Sequence, residues 1–379
     1  MTTGAALSGG GDFTRMRQAL SRARSARTSA VLATLVWRQG STYRRTGARA
    51  MIVDADVTGL LSGGCLEADI AEHAKAMLSR GESAALVSYD LASEEADSLL
   101  GIGHGCKGML GIVLEALTAD GAADDAMAVL AAHHEGDLPG AVAHLPFPAG
   151  ESVHSTPMRP VTVRRLWRVG GREHVQGELR EGERAVVSAS LDRTLRDRKT
   201  SEEDGIITEY LPRPVSLLVV GAGVDALPVV DLAAGLGFRV TVMDHRAAAL
   251  AHPRLATATR ERVLVNDLAA AIGRTRARAV VVMTHNLRAD QAALSGALSE
   301  GERREYVGVL GPRARTEKML AALGLTLAAR PEVCAPAGLD LGGDGADAVA
   351  LAIVSEIHAR LHRRDGRALT TKEGPIHDP

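Results

Sequence analysis

Two of the three cysteines in this 379-residue chain have neighbours that suggest chemistry. In Ser62-Gly63-Gly64-Cys65-Leu66-Glu67 the cysteine stands at the first turn of a segment with helical periodicity, where the helix dipole and unpaired amides favour thiolate over thiol. A thiolate there is a nucleophile or a soft metal ligand. Cys106, in Gly103-His104-Gly105-Cys106-Lys107-Gly108, has a histidine and a lysine beside it, whose positive charge acts in the same direction. There is no Cys-x-x-Cys pair, so a structural zinc is not expected, and the plainer reading of two small buried cysteines stays open. Cys334, in an apolar stretch, reads as core. Around the first two cysteines, Gly40-Ser41, Arg44-Arg45, Gly47-Ala48, Gly63-Gly64 and Gly103/Gly105 supply turns whose amides form anion-binding nests. A phosphate-bearing polar heterocycle with a soft metal-sulfur end suits nests, arginines and thiolates together.

A second constellation lies further along. Gly221-Ala222-Gly223-Val224-Asp225-Ala226 follows an apolar strand and opens a helix, the context of a dinucleotide fingerprint. Gly221 supplies the tight turn, Gly223 admits a ligand to the backbone, and the helix start attracts phosphate. Asp244 ends the next strand, where a carboxylate can bond two ribose hydroxyls, the NAD-type arrangement. Arg246 weakens that inference, Asp225 puts negative charge beside the phosphate site, and Pro228 stiffens the first helical turn. A Rossmann-like turn that binds another phosphorylated ligand, or none, therefore stays open. Thr284-His285-Asn286 and Gly311-Pro312-Arg313 with Arg315 also fall at carboxyl ends of strands and should face the same crevice. Arg313 and Arg315 could clamp a phosphate, and the loop Pro336 to Gly343 would lie beside it.

The elements that must position these residues follow from periodicity. A small, polar, glycine-rich lead-in precedes a helix expected near Asp12 or Phe13. From Ala30 come strand-like AVLATLVWR and AMIVD, then the Gly63-Gly64 turn. Leu66, Ile70, Ala74, Met77 and Leu78 share one helical face, with Gly81 as the stop. ALVSYDL and GMLGIVLEAL read as further strands. Between about 119 and 205 the pattern is weak: a helix through His134, then a meander of short strands that includes PVTVRRLWRVGG and AVVSASL, then a charged, solvated run RTLRDRKTSEED. Leu211-Pro212-Arg213-Pro214 is a boundary, because paired prolines fit neither a helix interior nor a central strand. From Val215 apolar strands alternate with helices, the signature of a parallel sheet covered on both faces. The fold class is α/β: an N-terminal α/β domain with mixed strands over 12–211, then a Rossmann-like doubly wound parallel sheet over 215–365, with tails 1–11 and 366–379 expected to be disordered.

Composition limits the function classes. Apolar residues at 46% and charged residues at 24% are the balance of a globular protein with substantial cores. A net charge of −2, with two Trp, four Tyr and three Phe, leaves neither a basic field nor stacking platforms for nucleic acid, which is not expected as a partner. No uncharged apolar run is long enough to span a bilayer, no secretory leader is visible, and the cysteines form no disulfide framework. A cytoplasmic protein is expected.

With these residues in view, the sequence resembles the XdhC/CoxI family of molybdenum-cofactor maturation proteins. The resemblance rests on GSTYRRTGARAMIV, SGGCLEADIAEHA and GHGCKG, then LLVVGAGVDALPVVDLAAGLGFRVTVMDHR, MTHN, VGVLGPRAR and PAGLDLGG, about two thirds of the chain. It implies a chaperone without turnover of its own that binds a molybdopterin-type cofactor and protects it from oxidation. It further implies sulfuration of that cofactor with a cysteine desulfurase and its insertion into a xanthine dehydrogenase-type molybdenum hydroxylase. By position Cys65 and Cys106 match the family's cysteines, and Cys65 is the expected molybdenum contact. The wider candidate set is Ser62, Gly63, Gly64, Glu67, Arg44 and Arg45 in the first domain, and Gly221, Gly223, Asp244, Arg246, His285, Asn286 and Arg313 in the second. Departures from the family pattern are Asp225, where many members carry histidine after the glycine turn, and Gly345-Ala346-Asp347, where many begin the last helix with Pro-Glu-Glu. The alternative reading is an NAD(P)-dependent oxidoreductase with Asp244 on the ribose, His285 as acid-base and Cys65 as redox residue. A homodimer is the expected assembly.

Overall fold

The structure, a computed structural model, describes residues 10–40, 42–91, 108–117, 126–145, 158–203, 205–299, 304–371 and 373. Cys106 with Gly103 and Gly105, the lead-in to residue 9 and most of the carboxyl-terminal tail lie outside the described residues. The chain divides into two units, Met1–Pro214 and Val215–Pro379.

Along the first unit come α1 (Gly10–Ala26), β1 (Ala30–Gly40), β2 (Arg49–Val53), β3 (Asp56–Gly59), α2 (Glu67–Ser79), β4 (Ala84–Asp90) and β5 (Gly108–Leu117). There follow α3 (Ala126–Glu135), β6 (Gly140–His144), β7 (Met158–Pro160), β8 (Arg165–Val169), β9 (Arg172–Gln176), α4 (Glu183–Asp197), β10 (Ser201–Glu203) and β11 (Ile206–Leu211). The mixed strands expected here resolve into two separate sheets, β3-β2-β1-β5-β4-β7 and β10-β11-β6-β8-β9, antiparallel in every pairing. Strand β1 explains the layering. Its side chains alternate, so Val31, Ala33 and Leu35 meet Ile70, Ala74 and Met77 of α2 on one face. Ala30 and Leu32 on the other face join Met16 and Leu20 of α1 and Val142 and Trp167 of the second sheet. Burial on both faces is why AVLATLV carries no polar alternation. Helix α2 stops as its sequence suggests, with Gly81 in the left-handed region at φ 68°.

The middle segment corrects one sequence expectation. AVVSASL is not a strand but the body of α4, whose Val187, Ser190, Leu191 and Thr194 are buried at helical spacing against the second sheet. The helix runs on into the charged RTLRD, so its period shows only across both pieces. Helix α1 likewise begins at Gly10, ahead of the expected Asp12.

Between the two sheets lies a buried ionic network. Arg49 of β2 forks onto Glu209 of β11 at 2.6 and 2.9 Å and also donates to the Gly47 carbonyl at 2.7 Å. His144 lies 3.5 Å from Glu209 and accepts at Nδ1 from Arg165 Nε at 3.0 Å. Arg165 in turn reaches Glu115 of β5 at 2.6 Å, and the Trp167 ring lies 6.0 Å from each guanidinium. Burial raises the Glu209 carboxyl, but Arg49 and His144 outweigh it and hold it at about 2, while burial pushes His144 down to about 4.

In the second unit come β12 (Ser216–Val220), α5 (Ala226–Gly235), β13 (Arg239–Asp244), α6 (Ala247–Leu250), β14 (Thr259–Arg262), α7 (Leu268–Gly273) and β15 (Ala279–Val282). Then follow α8 (Leu287–Ala297), β16 (Tyr306–Val309), α9 (Arg313–Ala322), β17 (Val333–Cys334) and α10 (Ala346–Leu361). All six strands are parallel in the order β14-β13-β12-β15-β16-β17, a Rossmann-like sheet. One face packs on α7, α8 and α9 through Ile272, Leu294 and Leu320. Helices α5 and α10 pack together elsewhere in the unit, with Ile353 and Ile357 buried. The order reverses between β12 and β15, which fixes a crevice at the carboxyl edge of those strands. Cys334 of β17 is buried, and burial with Glu356 pushes its thiol up to about 12, so it is inert core as expected. Within the carboxyl-terminal tail expected to be disordered, Leu369–Thr371 forms a 3-10 turn. No helix among the described residues is long and apolar enough to cross a membrane.

Candidate functional site

The loop between β3 and α2 is shaped by a carboxylate of its own. Helix α2 begins at Glu67, so Cys65 stands two residues ahead of it rather than in its first turn. The Glu67 side chain accepts from the amides of Leu61 at 2.9 Å, Ser62 at 3.0 Å and Gly64 at 3.0 Å, and from Ser62 Oγ at 2.6 Å. The Leu66 amide donates to Ser62 Oγ at 2.9 Å. Burial raises the Glu67 carboxyl, but these donors outweigh it and hold it below its ordinary range. The amides that the sequence assigned to an external anion or to the Cys65 thiolate are therefore taken by Glu67. Ser62 and Glu67 are loop-forming groups, and Cys65 Sγ is left with the Ser62 carbonyl at 3.8 Å.

What this closed turn presents outward is a flat edge. Gly63 and Gly64 have φ 101° and 107°, and a Cβ on Gly64 would meet nothing within 4 Å. A Cβ on Gly63 would come within 3.2 Å of the Tyr43 ring, and that ring is 62% exposed. Thus the loop after β1 is brought beside the Gly63-Gly64-Cys65 turn, with Arg44 and Arg45 following Tyr43 directly. Arg44 is loosely held, 3.8 Å from Asp12. Sequence reasoning missed Tyr43, and its only signal was an aromatic residue between a glycine and two arginines. Next to the turn, Asp69 of α2 accepts from Tyr89 Oη at 2.7 Å and lies 3.3 Å from His73. An exposed ring, a half-buried thiol and arginines can hold a flat, phosphate-bearing heterocycle with a soft, sulfur-seeking end. The first-domain residues present fit a molybdopterin-type group.

The second constellation is tied together by acid-base pairs. Gly221, at φ 114°, has the Met283 carbonyl 2.5 Å from where a Cβ would lie, so only glycine passes there. A Cβ on Gly223 would sit 2.5 Å from Asp225 Oδ1, so the place where a diphosphate would approach the backbone is filled by a carboxylate. Asp225 Oδ2 is 2.6 Å from His285 Nε2. His285 holds a left-handed φ of 56° with its side chain 63% exposed. Asn286 is engaged otherwise, capping α8 through the Arg288 and Ala289 amides. Arg313 pairs with Glu317 one turn along α9, and Arg315 with the buried Asp290, so the two do not form the expected clamp. Asp244 accepts from the Ala222 amide at 2.7 Å, the Arg246 amide at 2.8 Å, and Arg246 Nε and Nη2 at 3.0 and 2.7 Å. Burial raises its carboxyl, but Arg246 and these amides hold it down at about 2. A ribose diol needs free carboxylate oxygens, and Asp244 has its oxygens engaged and its side chain 2% exposed. On that ground the residues do not fit an NAD-type ribose grip. No group of three or more metal-ligating side chains occurs among the described residues.

Known proteins resemble both units. Residues 23–90 match the family described as "XdhC and CoxI family", and residues 217–357 match the "XdhC Rossmann domain". A protein of Bacillus subtilis (strain 168), named as a probable subunit of xanthine dehydrogenase, is 29% identical over 341 residues, covering 86% of this chain and 92% of the relative. A crystal structure described as a xanthine dehydrogenase from Bacillus halodurans superposes with a TM-score of 0.69 at 23% identity, covering 95% of this chain and 98% of that one. That last likeness speaks for the fold.

Proposed function

The chain belongs to the XdhC and CoxI family, and from that premise we propose that it serves the maturation of a xanthine dehydrogenase-type molybdenum hydroxylase by holding its cofactor. The observation that carries this reading is the exposed Tyr43 ring lying over Gly63, beside Cys65 and ahead of Arg44 and Arg45. Tyr43 offers a stacking face for a planar ring, worth about 1–3 kcal/mol by analogy with base stacking. Cys65 offers sulfur to a soft metal, and the two arginines offer donors to a phosphate. Glu67 and Ser62 keep the glycine turn in one shape, so that these groups need little rearrangement on binding. When bound, the cofactor would supply the molybdenum and sulfur chemistry of the hydroxylase it is destined for. The chain's own part is to bind, orient and shield, which requires no turnover. A cysteine desulfurase and the hydroxylase are the partners this role calls for, in the cytoplasm, with the chain as a homodimer.

The test is retention. Protein incubated with molybdenum cofactor and desalted is assayed for pterin and molybdenum, with NADH titrated into the same sample. Near-stoichiometric retention is expected, falling at least tenfold in Cys65→Ala and several-fold in Tyr43→Ala while thermal unfolding stays unchanged. Retention in both variants as high as in the unaltered protein, or NADH binding in place of pterin, would overturn the reading.

A further inference from the structure

One carboxylate beside the Gly63-Gly64-Cys65 turn is held by its own fold on one side and open on the other. The Ile70 amide donates to the Leu66 carbonyl at 2.8 Å, which closes the first turn of α2 and sets Asp69 on it, four residues beyond Cys65. Cys65 and the partly buried Tyr89 pack on the same core as Ile70 and Ala74. Asp69 Oδ2 accepts from Tyr89 Oη at 2.7 Å, and His73 Nε2 lies 3.3 Å from the same oxygen. Burial, with Asp69 as acceptor, raises the Tyr89 hydroxyl far above its ordinary value, so it stays a donor and fixes the direction of the carboxylate. Among the described residues no group bonds Asp69 Oδ1, and the side chain is 42% exposed. An oriented acceptor next to the Tyr43 ring and the Cys65 thiol is thus left without a donor.

We propose that Asp69 reads the edge of the bound heterocycle, accepting from the ring N–H and the adjacent amino group of a 2-amino-4-oxopyrimidine, and so restricts the first-unit site to pterin-type rings. The proposal rests on the cofactor reading and deepens it. Tyr43 addresses only the face of a flat ring, and stacking tolerates one heteroaromatic ring as well as another. Two donors side by side on the 2-amino-4-oxo edge suit a group that can only accept. A 2,4-dioxo ring puts a carbonyl oxygen where the amino group would be, so two acceptors face each other with no proton between them. A site built to hydrogen-bond one group rejects the analogue that lacks it more strongly than apolar contact does. Tyr89 is a positioning residue, because its hydroxyl removes in advance the freedom that Asp69 would lose on binding.

Fluorescence titration of the full chain with pterin and with lumazine, its 2,4-dioxo counterpart, tests this. The expected result is pterin binding at least tenfold tighter than lumazine, with Asp69→Asn bringing the two affinities together. Tyr43→Ala should weaken both probes alike and leave their ratio in place, which separates the face of the ring from its edge. If Asp69→Asn fails to fold, Tyr89→Phe keeps the charge, removes only its orientation, and should narrow the preference several-fold. Lumazine binding as tightly as pterin, or a preference unchanged in folded Asp69→Asn, would overturn the proposal and leave the cofactor reading standing. Binding of neither probe would also overturn it, and retention of the complete cofactor by the same protein then decides whether the cofactor reading falls with it.

Discussion

At the scale of single residues, Glu67 has the largest effect on what surrounds it. It stands where an incoming anion was expected and takes the amides of Leu61, Ser62 and Gly64 for itself. Removing its charge leaves those donors poorly matched, which costs about 1–3 kcal/mol. Glu67→Gln is accordingly expected to lower the unfolding free energy in urea by that amount and to loosen the Cys65 turn, seen as faster alkylation of the Cys65 thiol. An unchanged free energy together with an unchanged alkylation rate would show that Glu67 does not shape the turn. Asp244 repeats the pattern in the second unit, where a carboxylate legible in the sequence as a ligand contact is engaged with its own chain. In both cases the residue type and the strand or helix end could be read from spacing. Which partner the carboxylate takes could not, because amides of its own chain compete with any ligand and leave no mark in the sequence.

At the scale of elements, the strand, glycine turn and helix succession of both units was legible because each piece repeats its period within one short window. Helix α4 was not, since Val187, Ser190, Leu191 and Thr194 straddle the join between an apolar and a charged run. The clamp between the two sheets of the first unit was also invisible: Arg49 and Glu209 are 160 residues apart, and nothing in the sequence around either one points to the other. That clamp carries a sharp expectation. Arg49→Met alone leaves Glu209 buried without its guanidinium and should cost about 3–5 kcal/mol, whereas Arg49→Met with Glu209→Leu should recover most of the loss. Chemical denaturation of the three proteins measures this directly. A double variant as unstable as the single one would mean that the network holds the sheets by more than charge compensation.

For the molecule as a whole, acid is the expected weakness. Burial holds His133 and His144 down at about 4 from an ordinary 6.5, so both are neutral in the folded chain. As pH falls through 6.5 the unfolded chain takes up these protons first, and folded stability declines until about 4, where the folded histidines also protonate. With two such groups the slope reaches about 2.7 kcal/mol per pH unit. Glu209, held at about 2, extends the loss to lower pH as its unfolded form protonates first. Urea unfolding at pH 7.5, 6 and 5 should therefore give steadily falling free energies. A flat series would place these histidines in water.

The carboxyl edge of the parallel sheet has a different character. Asp244 ties the end of β13 to the turn after β12, His285 ties the loop after β15 to the start of α5, and Arg315 ties α9 to Asp290 of α8. Each of these loops along the rim is fastened to a neighbour, so little chain entropy remains to be lost when something lands there. A ligand of this edge would then meet a surface that is already set, arriving at a rate governed by diffusion and charge rather than by a slow rearrangement of the protein.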